Sequence, residues 1–345
     1  MTEVLVIGAG RRVIGAVLPA LGCLADRFRI AAVCSRSEKR IAIAGREEIT
    51  TRTSLDGVDF SRIGLIAMAP TLASVPRLLE RLSREDVGRA ALLLDTPVLP
   101  PTRLAAARFF PAFKRVLVAE DTLALPPFIV ARRLIDAGAI GTLRRIYFFH
   151  NGYKYHALAS LKLLAGRSPL RRIVSRRYPG KVRRKELLFD SGVSAVLCEP
   201  RDYRAGKFLL QGDRGSIADY DYPVSPVQRI GYRLEGQIYR GLTLNGEPVP
   251  AAGLDQAYLA GVGTDVLDAS PMNTMKLRGL MDLLVSSLEE RSPHHYRPAE
   301  AICDNLAYIM ADRLGIAPGP HLLERGLLRF MPPGIEAERS ALADN

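Results

Sequence analysis

The chain has 345 residues, a hydrophobic fraction of 48% and a formal net charge of +12. That length and apolar content suffice for two domains with buried cores. No apolar run reaches transmembrane length and no signal peptide is evident, so no membrane partner and a cytoplasmic location are expected. Cys23, Cys34, Cys198 and Cys303 stand apart, with no CxxC and no paired histidine spacing. They read as reduced thiols, and no metal site is expected. The positive balance favours anionic partners: phosphate, carboxylate or nucleic acid.

In chain order, Val4 to Ile7 form a short apolar run, Gly8-Ala9-Gly10 follow, and Arg11 to Leu24 carry apolar residues at helical spacing. This is the order of buried strand, glycine turn and helix N-terminus. Such a turn brings backbone N–H groups to a phosphate, and the helix dipole favours the negative charge. A third glycine belongs at Val13; the next one is Gly15. A plain α/β turn without ligand is the alternative. The second strand, Arg29 to Cys34, ends in Ser35-Arg36-Ser37, with Lys39 and Arg40 close behind. An acid in the Ser35 place would hold a ribose 2′-OH, whereas an arginine accommodates a 2′-phosphate. The reading is NADP(H), held by Gly8, Gly10, Arg11, Arg12, Ser35, Arg36 and Ser37; a solvated basic loop is the alternative.

Further strands at Ile63 to Ala69, Ala90 to Leu94 and Arg115 to Ala119 alternate with helices around Ser74 to Leu82 and after Pro100-Pro101. That alternation predicts an α/β domain with a doubly wound parallel sheet of Rossmann type over residues 1–122. Ligands in such sheets sit beyond the carboxyl ends of the strands. Those ends also carry Pro70 and Thr71, Asp95-Thr96-Pro97, and Glu120-Asp121-Thr122. Pro70, Thr71, Asp95, Pro97 and Glu120 complete the expected cofactor set.

From Leu123 the pattern changes. Pro126-Pro127 opens a helix that ends at Gly138 and Gly141, and strands then dominate to about Asn245, interrupted by a helix from His156 to Ala165. Helices at Met272 to Glu290 and Pro298 to Leu314 close the domain. This predicts an α+β domain over 123–317 with a mainly antiparallel open sheet, and 318–345 as a C-terminal extension. The cluster Arg171 to Lys185 reads as a solvated loop and strand edge, an anionic-substrate wall or a nucleic-acid patch. No helix-turn-helix, finger spacing or aromatic platform accompanies it, so nucleic acid ranks last.

The chain resembles the glucose–fructose oxidoreductase, inositol dehydrogenase and rhizopine-catabolism (Gfo/Idh/MocA) family to about Gly315. Leu18-Pro19-Ala20-Leu21 after the glycine turn, Val33 to Ser37, Leu134 to Gly141 and Gly212 to Ile217 carry the likeness through their order and spacing. The resemblance implies a dinucleotide domain, a second domain whose open sheet binds substrate and forms homo-oligomers, and hydride transfer to or from a sugar, cyclitol or related carbonyl or imine. The family's Glu-Lys-Pro slot reads Asp95-Thr96-Pro97, so its ammonium is missing. Its helix motif keeps His156 and Gly166, but Gly152 stands in the place of its aspartate.

His156 therefore heads the candidate proton-handling residues, since imidazole titrates near neutrality. Lys154 and Tyr155 precede it, and Lys154 is a better replacement ammonium than Lys162, which lies on another helix face. Asp95, Thr96, Glu120 and Asp121 are further candidates; helix capping is the plain role of these carboxylates. His294 and His295 read as surface residues. Two functions compete: an NADP(H)-dependent oxidoreductase acting on a small polar, anionic carbonyl, alcohol or imine, and a degenerate nucleotide-binding member that serves as a sensor or partner subunit.

Overall fold

The computed structural model describes residues 1–42, 48–202, 206–251, 253–263, 270–289 and 296–323. His294 and His295 lie outside the described residues, as does the extension beyond residue 323. The chain divides into two compact units. The first holds Met1–Ala119 with Leu284–Ile302, the second Glu120–Leu283 with Cys303–His321.

The first unit is built on a parallel sheet of five strands: β1 (Thr2–Ile7), β2 (Phe28–Cys34), β3 (Ile63–Met68), β4 (Ala91–Leu94) and β5 (Arg115–Val118). Their order is β2-β1-β3-β4-β5. Strands this apolar stay in a sheet only when both faces are covered; Val4, Leu5 and Val6 are fully buried, as are Leu65, Ile66 and Leu92. Order reverses between β1 and β3, and the crevice at such a switch point opens at the carboxyl end of β1, where Gly8 stands. The helix that follows starts with a π-helical turn, Val13–Val17, and continues as α1 (Leu18–Cys23). After β3 comes α2 (Val75–Leu82). The segment after Pro100 is 3₁₀-helical, Pro101–Ala112, with non-helical dihedrals at Arg103 and Pro111 inside. Proline lacks the N–H that an α-helix would need there.

The second unit begins with α3 (Pro126–Asp136), β6 (Leu143–Phe149) and α4 (Lys154–Leu164). Then come β7 (Leu170–Arg177), β8 (Arg183–Phe189), β9 (Ser194–Glu199), β10 (Lys207–Gly212), β11 (Ser216–Ala218), β12 (Val227–Glu235), β13 (Ile238–Leu244) and β14 (Glu247–Pro248). The helices α5 (Leu254–Gly261), α6 (Pro271–Ser286) and α7 (Pro298–Leu314) and the edge strand β15 (Ile316–Pro318) follow. The ten strands form one mixed sheet in the order β14-β13-β12-β11-β10-β6-β9-β8-β7-β15. The β6–β9 and β11–β12 pairs are parallel and the other pairs antiparallel.

Alternation decides which face is covered. On β6, Ile146 and Phe148 are buried, and Phe128 of α3 stacks on Phe148 with ring centroids 5.2 Å apart. Arg145, Tyr147 and Phe149 point to the opposite, open face, and register carries three rows across it. One row holds Gln211, Arg145, Ser194, Leu188 and Arg172; the next Leu209, Tyr147, Val196, Glu186 and Val174; the third Lys207, Phe149, Cys198, Arg184 and Arg176. The basic run thus belongs to the paired strands β7 and β8, with a turn between. One of its members departs from the solvated reading. Lys185 has no exposed surface and pairs on the covered face with Glu199 and, at 2.9 Å, with Asp312; its Nζ lies 4.2 Å from the Tyr308 ring centroid. A lysine so deeply buried keeps its charge only where carboxylates surround it.

Candidate active site

In the first unit the glycine turn is shaped for a phosphate. Gly8 has φ +119, and a Cβ there would lie 2.6 Å from the carbonyl oxygen of Ala69. Glycine is thus required by both dihedral and space. Above Gly10 a Cβ would meet nothing within 4 Å, so the turn is open where a ligand's pyrophosphate would approach. Arg11 is exposed at the start of the helix. Arg12 donates through Nε to Asp95 Oδ1 at 3.1 Å and through Nη2 to Ala119 O at 3.4 Å. Two expected ligands, Arg12 and Asp95, are therefore joined to each other. Pro70 and Thr71 stand at the end of β3, where Thr71 bonds with Ser74 at 2.8 Å. Asp95, Thr96 and Pro97 are half-buried beyond β4, and the Thr96–Pro97 peptide is cis.

The Ser35–Ser37 loop is internally braced. The Ser35 hydroxyl bonds to Ser37 O and sits 3.1 Å from Thr51 Oγ1, which in turn accepts from Lys39 N at 2.9 Å. Arg36 is exposed, and Lys39 Nζ donates to Ala9 O at 3.0 Å. Lys39 thus reaches back to the glycine turn, a contact across 30 residues that no local pattern announces. The open turn and the helix N-terminus fit the phosphates of a nicotinamide dinucleotide.

In the second unit the residues converge on His156. It lies in the first turn of α4, and its Nδ1 is 2.7 Å from Glu120 Oε2. Glu120 is fully buried, and its Oε1 accepts the Thr122 hydroxyl at 2.7 Å and Thr122 N at 3.4 Å. Burial by itself raises a carboxyl pKa. Here the His156 charge and the hydrogen bonds from His156 and Thr122 overcome it and hold Glu120 below the ordinary value. Glu120 belongs to this pair, although its place at a strand end suggested the cofactor. The pairing orients the imidazole, with Nδ1 facing the carboxylate. The His156 side chain is 16% exposed. Its ring stacks with Tyr153 at 6.0 Å and tilts against Tyr155 at 4.4 Å.

Helix α4 is anchored from below. Lys154 starts it at φ +48, and its backbone N–H donates to Glu199 Oε1 at 2.8 Å. Glu199 also accepts from Lys185 and from the Tyr308 hydroxyl, so the helix start is tied to the buried cluster. The Lys154 ammonium lies over the Tyr153 ring at 4.9 Å. Lys162 is paired with Asp304 at 3.1 Å. Gly166, at φ +72, lies just beyond the C-terminus of α4. Gly152 is packed tight: a Cβ there would meet Ala157 Cβ at 2.6 Å, Leu197 Cδ1 at 2.7 Å and Phe148 Cδ2 at 3.1 Å. No side chain fits at Gly152, and the carboxylate on His156 comes instead from the end of another strand, 36 residues away. Sequence reading named both residues and missed that they form a pair.

No family model matches the chain, and no curated protein matches it. Solved structures do. A putative myo-inositol dehydrogenase from Sinorhizobium meliloti 1021 superposes with a TM-score of 0.59 at 15% identity, over 92% of this chain and 99% of that one. An NAD binding oxidoreductase from Klebsiella pneumoniae gives 0.60 at 13% identity, over 92% and 98%. An oxidoreductase from Agrobacterium radiobacter, in complex with NAD+, L-tartaric acid and magnesium, gives 0.57 at 14% identity, over 92% and 98%. The chain has the Gfo/Idh/MocA fold. The likeness is one of fold. No helix among the described residues is long and apolar enough to cross a membrane, and none of their side chains cluster as a metal site.

Proposed function

We propose that the chain is an NADP(H)-dependent oxidoreductase of the Gfo/Idh/MocA family, acting on a small polar, anionic carbonyl, alcohol or imine. The observation that carries this reading is the His156–Glu120 pair, at 2.7 Å with the carboxylate fully buried. NADP(H), when bound, supplies or takes up the hydride. His156 handles the proton: with Nδ1–H directed to Glu120, Nε2 accepts a proton from an alcohol in oxidation or delivers one to oxygen or nitrogen in reduction. Glu120 stabilises the imidazolium that forms and holds the ring orientation. Arg36 and Lys39 are the cations for the 2′-phosphate, and the Gly8–Gly10 turn receives the pyrophosphate. Copies of the chain associate through the open sheet face.

The filled space at Gly152 and the threonine at position 96 favour a second reading, a nucleotide-binding member without redox catalysis. Two measurements separate them. Fluorescence titration gives tighter binding of NADPH than of NADH, and Arg36→Asp erases or reverses the preference. Turnover in His156→Asn and in Glu120→Gln falls by about 10²–10⁴ with NADPH affinity unchanged, the usual range for lost acid–base catalysis. Tight NADPH binding with no substrate-dependent absorbance change at the nicotinamide band supports the second reading.

A further inference from the structure

We propose that Glu199, held in place by Lys185 and Tyr308, is a positioning residue for His156: its carboxylate accepts the first N–H of α4 and so sets where the imidazole meets Glu120. The inference rests on the role of His156 in the proposed function and adds to it the residue that places the ring.

Helix α4 has no cap of its own. Tyr153, at the N-cap position, gives the helix no side-chain hydrogen bond, and no acid lies in the first turn. The first N–H groups of a helix have no partner within it, so they need acceptors from elsewhere. Here the acceptor comes from the end of β9, 45 residues along: Lys154 N donates to Glu199 Oε1 at 2.8 Å. Lys154 has φ +48, a left-handed conformation that residues other than glycine seldom adopt and that depends on support from its surroundings. His156 follows two residues on, in the same first turn. Of the pair, Glu120 is fixed without α4, since its Oε1 accepts the Thr122 hydroxyl and the Thr122 N–H. The histidine is held through its helix, so a change at the helix start moves the ring and leaves the carboxylate in place.

Glu199 is buried and has little freedom. Its two oxygens lie 2.9 and 2.7 Å from the Tyr308 hydroxyl, and Oε2 accepts from the Lys185 ammonium. Burial and the Glu199 charge push the Tyr308 phenol well above its ordinary value, so it stays a donor. Lys185 also reaches Asp312, at 2.9 Å, and Asp312 in turn pairs with Arg183. Strands β8 and β9 and helix α7 thus hold one carboxylate against the start of α4. A buried ion pair is by itself weak evidence of a contribution to stability, because an apolar pair of equal volume serves a fold as well. This one presents an oxygen to a single N–H two residues from His156, a task that an apolar pair cannot perform.

The test compares two double variants of the full chain, because Glu199→Ala alone leaves the buried Lys185 ammonium short of a counter-charge. Glu199→Gln with Lys185→Met keeps an acceptor oxygen for Lys154 N–H. Glu199→Ala with Lys185→Met removes it, and neither variant contains the ion pair. The first readout is the Nδ1 proton resonance of His156 in cofactor-free protein, shifted downfield by the hydrogen bond to Glu120 and identified by its loss in His156→Asn. It is present in wild type and in the glutamine variant and disappears in the alanine variant, while circular dichroism shows both variants folded. The second readout is turnover. In the alanine variant kcat falls about ten- to hundredfold, the scale of a misplaced catalytic group. The glutamine variant recovers most of that loss, and NADPH affinity is constant throughout. A His156 resonance that survives in the alanine variant, is lost from both variants or is missing from wild type overturns the inference. Wild type that shows the resonance without NADPH-dependent turnover sinks the redox reading instead, and the resonance still decides the role of Glu199.

Discussion

At the scale of single residues, Asp219 shows how the covered face of the second sheet sets a pH dependence. It is 7% exposed, accepts from Phe208 N at 2.8 Å and from the Tyr232 hydroxyl at 3.0 Å, and is pushed up to about 6. Burial is the dominant cause; the Phe208 N–H, the Lys207 charge and the Tyr232 hydroxyl offset it in part. The native state therefore keeps this proton to about pH 6, whereas the unfolded chain loses it near 3.8. Between those values the native state binds more protons, so stability falls as pH rises and is level above the window. The cost approaches about 3 kcal/mol. Asp219→Asn keeps an acceptor oxygen for the Phe208 N–H, turns its amide NH2 to the Tyr232 hydroxyl, which then accepts, and removes the titration. Urea midpoints will show the variant gaining on wild type between pH 4 and 7; an equal difference at both ends refutes the assignment. At this scale sequence was a partial guide. His156 was legible because its type and its distance to Gly166 are local. Glu120 as its partner was not, because that contact joins residues 36 apart in sequence.

At the scale of elements, α4 explains why the carboxylate on His156 comes from another element. Its first turn is set by Glu199 below Lys154, and its packing leaves position 152 no volume beside Ala157, Leu197 and Phe148. Gly152→Asp places a side chain into filled space and a charge into an apolar contact, which destabilises the chain by about 3–5 kcal/mol. Thermal melts of Gly152→Asp will show that loss, and the added carboxylate will not raise turnover. Ala157→Gly together with Leu197→Ala in the same chain clears the two nearest atoms, and part of the melting temperature returns. If Gly152→Asp alone melts like wild type, the packing described for this helix is wrong. The strands and helices were largely readable in advance because apolar periodicity is a local signal. The π-turn at Val13–Val17 and the 3₁₀ segment at Pro101–Ala112 were not, since periodicity over so few residues does not separate one helical pitch from another.

At the scale of the whole molecule, cations flank the apolar row on the open face of the second sheet, the face proposed above for self-association. The rows of the open face place Arg145 and Arg172 on one side of Tyr147, Val196 and Val174, and Lys207, Arg184 and Arg176 on the other. Glu186 is the acid among them and pairs with Arg184 at 3.2 Å. An apolar centre with a charged rim is the anatomy of a protein interface. Two such faces in contact set cation against cation, a repulsion that salt screens. Sedimentation velocity will therefore show association strengthening from about 20 mM to about 0.5 M NaCl, where the Debye length shrinks to a few ångströms. Arg172→Glu will permit it at low salt. Association that weakens with salt places the contact elsewhere.

The chain contains no tryptophan, so tyrosine is its fluorophore. Tyr153 and Tyr155 stand 6.0 Å and 4.4 Å from the His156 ring, centroid to centroid. A protonated imidazole quenches a neighbouring excited phenol far more strongly than a neutral one does. A change of charge on His156 thereby alters the protein's own ultraviolet emission, without label or substrate.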